Sequence, residues 1–305
     1  MAALNRQQIE LIFHAHGLGE VRTITRTTRG SVNDVFLING AYVLRVQPRR
    51  HMRLYAEKQA YELLRQSGVP VPQVVALDTS GLRIPYSYLL LTYLPGERLI
   101  DVWPTLSSET RAKVALEVGA HLARIHNVSL DFYGHLGLNQ QRFNNFYEYA
   151  IDCCARFVLP ASQTRLYTPK MHEQLTTLLH ICRPYIQHVS PHLVHNDYHF
   201  ENILVENDTV TGIIDIEWAL SGDPTWDFLV EDKWEEQCAG SRALVYEGYR
   251  SVRRLDPQHR LKTRLYKAIH ALETIAEWPE YRAWAVERLH RLFADADANG
   301  DVPLR

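Results

Sequence analysis

Three oxygen-bearing side chains recur at fixed intervals late in the chain. Asp197 and Asn202 lie in His195-Asn196-Asp197-Tyr198-His199-Phe200-Glu201-Asn202, and Asp215 closes Ile213-Ile214-Asp215. Such a set suits phosphoryl transfer from ATP. That reaction leaves the protein little covalent chemistry; it must position groups and neutralise charge. One carboxylate accepts the proton of the attacking hydroxyl. A second carboxylate and an amide oxygen hold Mg²⁺ against the phosphates. Mg²⁺ takes hard oxygen ligands and keeps several waters, so two side chains suffice.

Positioning these groups needs a scaffold, and the intervening residues supply one. Ile203-Leu204-Val205, Asn207-Asp208 and the apolar run before Asp215 read as strand, tight turn, strand. A turn at Asn207-Asp208 sets Asn202 roughly opposite residue 213, one step from Asp215. The two would then face each other across the hairpin mouth, with Asp197 on the irregular loop before it.

His195-x-Asp197-x-x-x-x-Asn202, Ile214-Asp215 and Gly222-Asp223-Pro224-x-x-Asp227 together resemble the aminoglycoside phosphotransferase family. Members of that family share the protein-kinase-like fold. The resemblance implies Asp197 as catalytic base and Asn202 and Asp215 as metal ligands, with ATP and Mg²⁺ as cofactors. It implies a structural role for Asp227, bonding the backbone of the catalytic loop and reaching towards His195.

Upstream, residues 5–16 read as an amphipathic helix with Ile9, Ile12 and Phe13 on one side. Residues 21–46 read as strands, with a hairpin turning at Asn39-Gly40, a favoured two-residue turn. Gly30 and Ser31, between strands, are placed to fold over phosphates with their N–H groups. The family has a phosphate-binding lysine on its third strand. Here the matching residue is Arg45, which stays charged and binds phosphate bidentately but needs more room. Residues 53–67 read as a helix whose apolar side, Ala60, Leu63 and Leu64, also carries Glu57. A buried carboxylate needs a partner, and Arg45 is the candidate.

Tyr88 to Leu94 reads as a buried strand leading to Pro95-Gly96. The stretch resembles the family's hinge, which implies that adenine bonds the carbonyl of Thr92 and the N–H of Leu94. The chain beyond is mainly helical, with helices at 107–126, 143–158 and 169–188. Gly222-Asp223-Pro224 opens another, and 241–294 continues helical. The expected fold is therefore α+β and bilobal. Residues 1–94 form an antiparallel-sheet lobe for ATP, and 95–305 a mainly helical lobe for catalysis and substrate. Glu231, Asp232, Glu235 and Glu236, and later Glu273, Glu277 and Glu280, read as solvated charged faces. In family members acting on polyamines, acids from these helices bind ammonium groups.

The bulk composition excludes several classes. A chain of 305 residues with net charge −2 carries no general attraction to nucleic acid or anionic membrane. No apolar run approaches the roughly 18 residues of a membrane span. The start, MAALNRQQIELIF, lacks the basic and apolar segments of a signal peptide. Cys153, Cys154, Cys182 and Cys238 make no C-x-x-C pair, which fits free thiols in a reducing cytoplasm. The expected activity is transfer of the γ-phosphoryl group to a hydroxyl of a small molecule, aminoglycoside-like or an amino alcohol. A choline- or homoserine-type kinase and a nucleotide-binding regulator without catalysis remain alternatives. Oligomeric state has no signature in the sequence.

Overall fold

A computed structural model describes residues 4–27, 34–47 and 53–298, without side-chain detail for 295–298. Gly30 and Ser31 lie outside the described residues. The first helix, α1 (Arg6–Ala15), starts at Asn5, whose side chain accepts from the Gln8 N–H while Gln8 caps the Asn5 N–H in return. Then follow β1 (Ile24–Arg26), β2 (Asp34–Ile38), β3 (Tyr42–Gln47), α2 (Arg53–Leu64), β4 (Val74–Asp78) and β5 (Ser87–Thr92). The five strands form one antiparallel sheet in the order β1-β2-β3-β5-β4.

This sheet is covered on both faces, which explains the unbroken apolar run of β5. Tyr88 and Leu90 point towards α1, joining Ile9, Ile12, Phe13, Leu44 and Val46. Leu89 and Leu91 point the other way and join Leu54, Ala60 and Leu64 of α2. The period-2 alternation of β3 sends Leu44 and Val46 to the first core and Arg45 to the α2 side. Between β2 and β3, Asn39 and Gly40 both adopt positive φ, as the turn demands. Ile38 pairs with Tyr42, so Ala41 adds a third residue to the expected two-residue connection.

The rest of the chain is helical with short strands. In order come β6 (Glu97–Arg98), α3 (Leu99–Val102), α4 (Ser108–Ile125), β7 (Gly134–His135), α5 (Phe146–Gln163) and α6 (Pro169–Ile186). They are followed by β8 (His192–Val194), β9 (Ile203–Glu206), β10 (Thr209–Ile213) and β11 (Leu220–Gly222). The last are α7 (Glu231–Gln237), α8 (Ser241–Val252), α9 (His259–Glu277) and α10 (Arg282–Ala298). Several boundaries differ from the sequence reading. Helix α2 ends at Leu64, three residues early, with Gly68 at positive φ beyond it. Helix α5 starts after Asn145, whose side chain caps the Glu148 N–H; the expected start at 143 missed that cap. Strand β5 stops at Thr92, leaving Leu94 past its end. No helix among the described residues is long and apolar enough to cross a membrane. All four cysteines are free.

Helices α4 and α8 cross at close range because each has a glycine at the contact. A Cβ on Gly119 would lie 2.0 Å from the Val245 carbonyl oxygen, and one on Gly248 2.0 Å from that of Leu116. Both obstacles are backbone, which cannot rotate aside. Gly119→Ala and Gly248→Ala are each expected to destabilise the fold by about 1–3 kcal/mol or more, the cost of overpacking. Urea midpoints measure this. A Gly119→Ala midpoint equal to that of the parent would show that the two helices are not packed as described.

Candidate functional site

The loop between β8 and β9 carries Asp197, and its shape is set from beneath. Asp227, in the 3₁₀ helix Pro224–Val230, is 1% exposed. Its carboxylate accepts from the His195 N–H at 2.9 Å and the Asn196 N–H at 2.6 Å. The same carboxylate meets His126 Nε2 at 2.9 Å. A carboxylate only accepts, so Nε2 donates, and Nδ1 lies 3.0 Å from the Tyr249 hydroxyl. Asn196 adopts φ 67°, outside the range most residues favour. Its side chain holds that conformation in place, donating to the Trp218 carbonyl and accepting from Trp226 Nε1. Asp197 therefore emerges from a loop bonded on two sides.

Asp197 and Asn202 are in direct contact. Asn202 Nδ2 donates to the Asp197 carbonyl at 3.0 Å and to Asp197 Oδ2 at 3.3 Å. That bond turns the Asn202 amide oxygen away from Asp197, with no described residue donating to it. Asp197 Oδ1 lies 3.2 Å from His199 Nε2. Burial pushes the Asp197 carboxyl up, but the His199 hydrogen bond and charge, with Lys233 and His195, outweigh it. The carboxyl is held well below the usual carboxylate range, ionised at neutral pH.

Asp215 meets this pair from the next strand. The hairpin has the expected turn, with Asn207 and Asp208 at positive φ, but a bulge between Val210 and Gly212 adds one residue to β10. Ile203 consequently pairs with Ile213, and the Ile214 N–H donates to the Asn202 carbonyl. Asn202 thus lies opposite residue 214 rather than 213, directly beside Asp215. No turn-counting argument detects a bulge. Asp215 has φ 62°, and Tyr61 of α2 accepts from its N–H at 3.1 Å.

Arg45 joins the sheet to this hairpin. Its Nη1 lies 2.8 Å from Glu57 Oε1, so the strand-to-helix ion pair forms. Its Nη2 also lies 2.8 Å from Asp215 Oδ1 and 3.2 Å from Glu217 Oε2. Burial pushes the Glu57 carboxyl up, and the Arg45 guanidinium pulls it down. The guanidinium thus meets Glu57 through one nitrogen and Asp215 and Glu217 through another. Leu94 lies beside the hairpin; a Cβ on Gly212 would come within 2.9 Å of its Cδ1. No described residue accepts from the Leu94 N–H, and the Thr92 hydroxyl accepts from the Gln73 N–H.

Asn202 and Asp215 supply the hard oxygens that Mg²⁺ prefers. The amide oxygen of Asn202 is free of hydrogen bonds, and the Asp215 side chain is 41% exposed. The donor set fits the ion. Several residues at the site carried no sequence signal. His126 looks like an ordinary helix-end histidine, and Tyr249, Trp226 and Glu217 belong to no motif; each is found only by its contacts.

Glu236, Glu277 and Glu280 are exposed, as a solvated face requires, but the other acids of the two clusters are not simply solvated. Lys267 Nζ lies 2.7 Å from Glu231 and 2.8 Å from Asp232, and Arg288 also reaches Asp232. Glu235 accepts from the Gly240 N–H. Glu273, on α9, makes no hydrogen bond among the described residues, and burial pushes its carboxyl up to about 7. The unfolded chain ionises this group near pH 4.5. Stability should therefore fall as pH rises from 4.5 to 7, by about 1–3 kcal/mol from this group. Glu273→Gln should remove that slope in urea titrations at pH 5 and 8. An unchanged slope would place the carboxyl in water.

A family model described as the phosphotransferase enzyme family matches residues 23–230. Among curated proteins, the KEOPS complex subunit Bud32 of Pyrococcus abyssi is 31% identical over 81 residues, 27% of this chain. The chain spans about a third of that relative, 34% of its length. Solved structures agree over much more. ADP-bound aminoglycoside phosphotransferase APH(2'')-Ib superposes with a TM-score of 0.68 at 19% identity, covering 95% of this chain and 98% of that one. The streptomycin–ATP complex of APH(2'')-IIa gives 0.69 at 20% identity, with 95% and 97% covered. A ternary complex of a thermostable APH(4)-Ia mutant with ADP and hygromycin B gives 0.69 at 18%, with 93% and 97% covered. These likenesses establish a kinase-like α+β fold.

Proposed function

Because the chain belongs to the phosphotransferase enzyme family, we propose that it moves the γ-phosphoryl group of ATP to a hydroxyl of a small molecule. The observation that carries this reading is the Asn202 amide bonded to Asp197, while the Asn202 backbone carbonyl accepts from the N–H of Ile214, the residue before Asp215. A carboxylate for the hydroxyl proton and two oxygens for a cation thus stand together at one end of a hairpin.

Asp197 takes the proton of the acceptor hydroxyl as its oxygen bonds to phosphorus and the bond to the ADP oxygen breaks. The depressed pKa of Asp197 keeps it ready as an acceptor of hydrogen bonds and an orienting charge. Asn202 and Asp215 are the ligands for Mg²⁺, which when bound supplies neutralising charge to the phosphates. Arg45, held by Glu57, adds cationic charge on the same side. In this reading adenine would bond the Thr92 carbonyl and the Leu94 N–H, and Gly30 and Ser31, outside the described residues, would contact the phosphates. In this reading residues 1–94 are the nucleotide lobe and 95–305 the catalytic and acceptor lobe. The free thiols suit the cytoplasm.

A regulator without catalysis would need none of the Asp197–Asn202 contact. ADP release from MgATP, across a panel of amines, amino alcohols, sugars and hydroxy acids, separates the two. Acceptor-stimulated release supports the transferase; nucleotide binding with no stimulation by any class supports the regulator.

A further inference from the structure

Near the loop that carries Asp197 stands a charge that the phosphotransfer reading does not use. Arg53 opens α2, and its guanidinium carbon lies 3.3 Å from the centre of the Trp218 ring. It is half-buried and makes no hydrogen bond or ion pair among the described residues. Glu217 is near enough to feel its charge but is bonded to Arg45. An arginine laid on an aromatic face keeps its edge N–H groups free for an in-plane partner, and a carboxylate or phosphate matches that fork.

The platform is fixed to the catalytic loop. The Trp218 carbonyl accepts from Asn196 Nδ2 at 3.1 Å, and Asn196 directly precedes Asp197. On α9, Glu273 is near enough for its charge to act on Arg53, and His270 is near enough to feel Asp197. Burial drives His270 down to about 3, so it is neutral, and Glu273 up to about 7, so it is only partly charged. Lys233 adds a cation beside Asp197. Glu231 and Asp232, which a polyamine would seek, are already bonded to Lys267 and Arg288. Among the described residues, Arg53 is thus a guanidinium with no bonded anion, and the first acids of α7 are taken up by other cations.

Building on the phosphotransfer reading, we propose that Arg53 on Trp218 is the anion-binding group of the acceptor pocket. The acceptor is then a hydroxyl compound bearing a carboxylate or a phosphate, not a polyamine. Arg53 binds the anion and sets which hydroxyl reaches Asp197. It is a specificity residue, acting on KM more than on kcat.

The test uses matched acceptors: glycerol, glycerate and glycerol 3-phosphate; glucose, gluconate and glucose 6-phosphate; and a polyamino sugar. ADP release is read with MgATP saturating. The expected result is an anionic member at least about tenfold better in kcat/KM than its neutral parent, and Arg53→Gln raising its KM about tenfold with kcat little changed. Arg53→Lys should recover part of that loss. Which arm responds tells carboxylate from phosphate. Preference for a neutral or polyamino acceptor, or an anionic preference untouched by Arg53→Gln, overturns the proposal. If no acceptor turns over, glycerate and glycerol 3-phosphate are titrated calorimetrically into the MgADP complex. Binding lost in Arg53→Gln then supports the proposal, and no Arg53-dependent binding overturns it. Failure to bind MgATP at all would instead defeat the phosphotransfer reading, so the two failures are distinct.

Discussion

Replacing Asp197 with alanine lowers turnover by about 10²–10⁴, the scale on which a positioned general base contributes. Nucleotide binding stays near that of the parent. The expectation follows from where the carboxylate sits and what surrounds it. Asp197, its side chain 32% exposed, bonds to His199 and the Asn202 amide, both buried. Removing it leaves the Asn202 amide bonded to the residue-197 backbone carbonyl, so the amide oxygen keeps its direction. The loss should appear in kcat and kcat/KM together, the pattern of an interaction made only in the transition state. Turnover of Asp197→Ala within a few-fold of the parent on its best acceptor would remove the proposed base.

Asp227→Ala is the substitution expected to harm the fold most. It leaves the His195 and Asn196 N–H groups and His126 Nε2 without an acceptor, in a place with almost no access to water. Each orphaned buried donor costs about 1–3 kcal/mol. The sum, after some relaxation, is expected near 3–5 kcal/mol, as for other broken buried charge contacts. Asp227→Asn keeps an acceptor oxygen for one backbone N–H and should cost less. Denaturant midpoints of the two variants decide the matter. If Asp227→Ala unfolds at the parent's midpoint, the carboxylate does not organise the loop.

The legibility of this chain was uneven, for physical reasons. That Asp197, Asn202 and Asp215 come together could be read from the strand–turn–strand pattern between them, while their roles came from the family resemblance. The sheet was readable from alternation, and the Arg45–Glu57 contact from a charge placed on an apolar helix face. The exact register of the β9–β10 hairpin was not, since the bulge at Val210–Gly212 leaves no residue signature. Nor was the bonding of Arg45 to Asp215 and Glu217, which joins positions 170 and 172 residues apart. The acids of α7 looked solvated because their partners, Lys267 and Arg288, lie on distant helices. His126 was passed over for the same reason: its importance comes from Asp227 and Tyr249, both over 100 residues away. Local pattern finds local partners, and the long-range ones appear only when the chain is folded.

The cation site is the claim on which the rest depends, and calorimetric titration of ATP with and without Mg²⁺ tests it most directly. The account predicts Mg²⁺-dependent binding in the parent, at least about tenfold weaker in Asn202→Ala and Asp215→Ala, and retained in Asp197→Ala. ATP binding that ignores Mg²⁺, or that survives both substitutions unchanged, would contradict it.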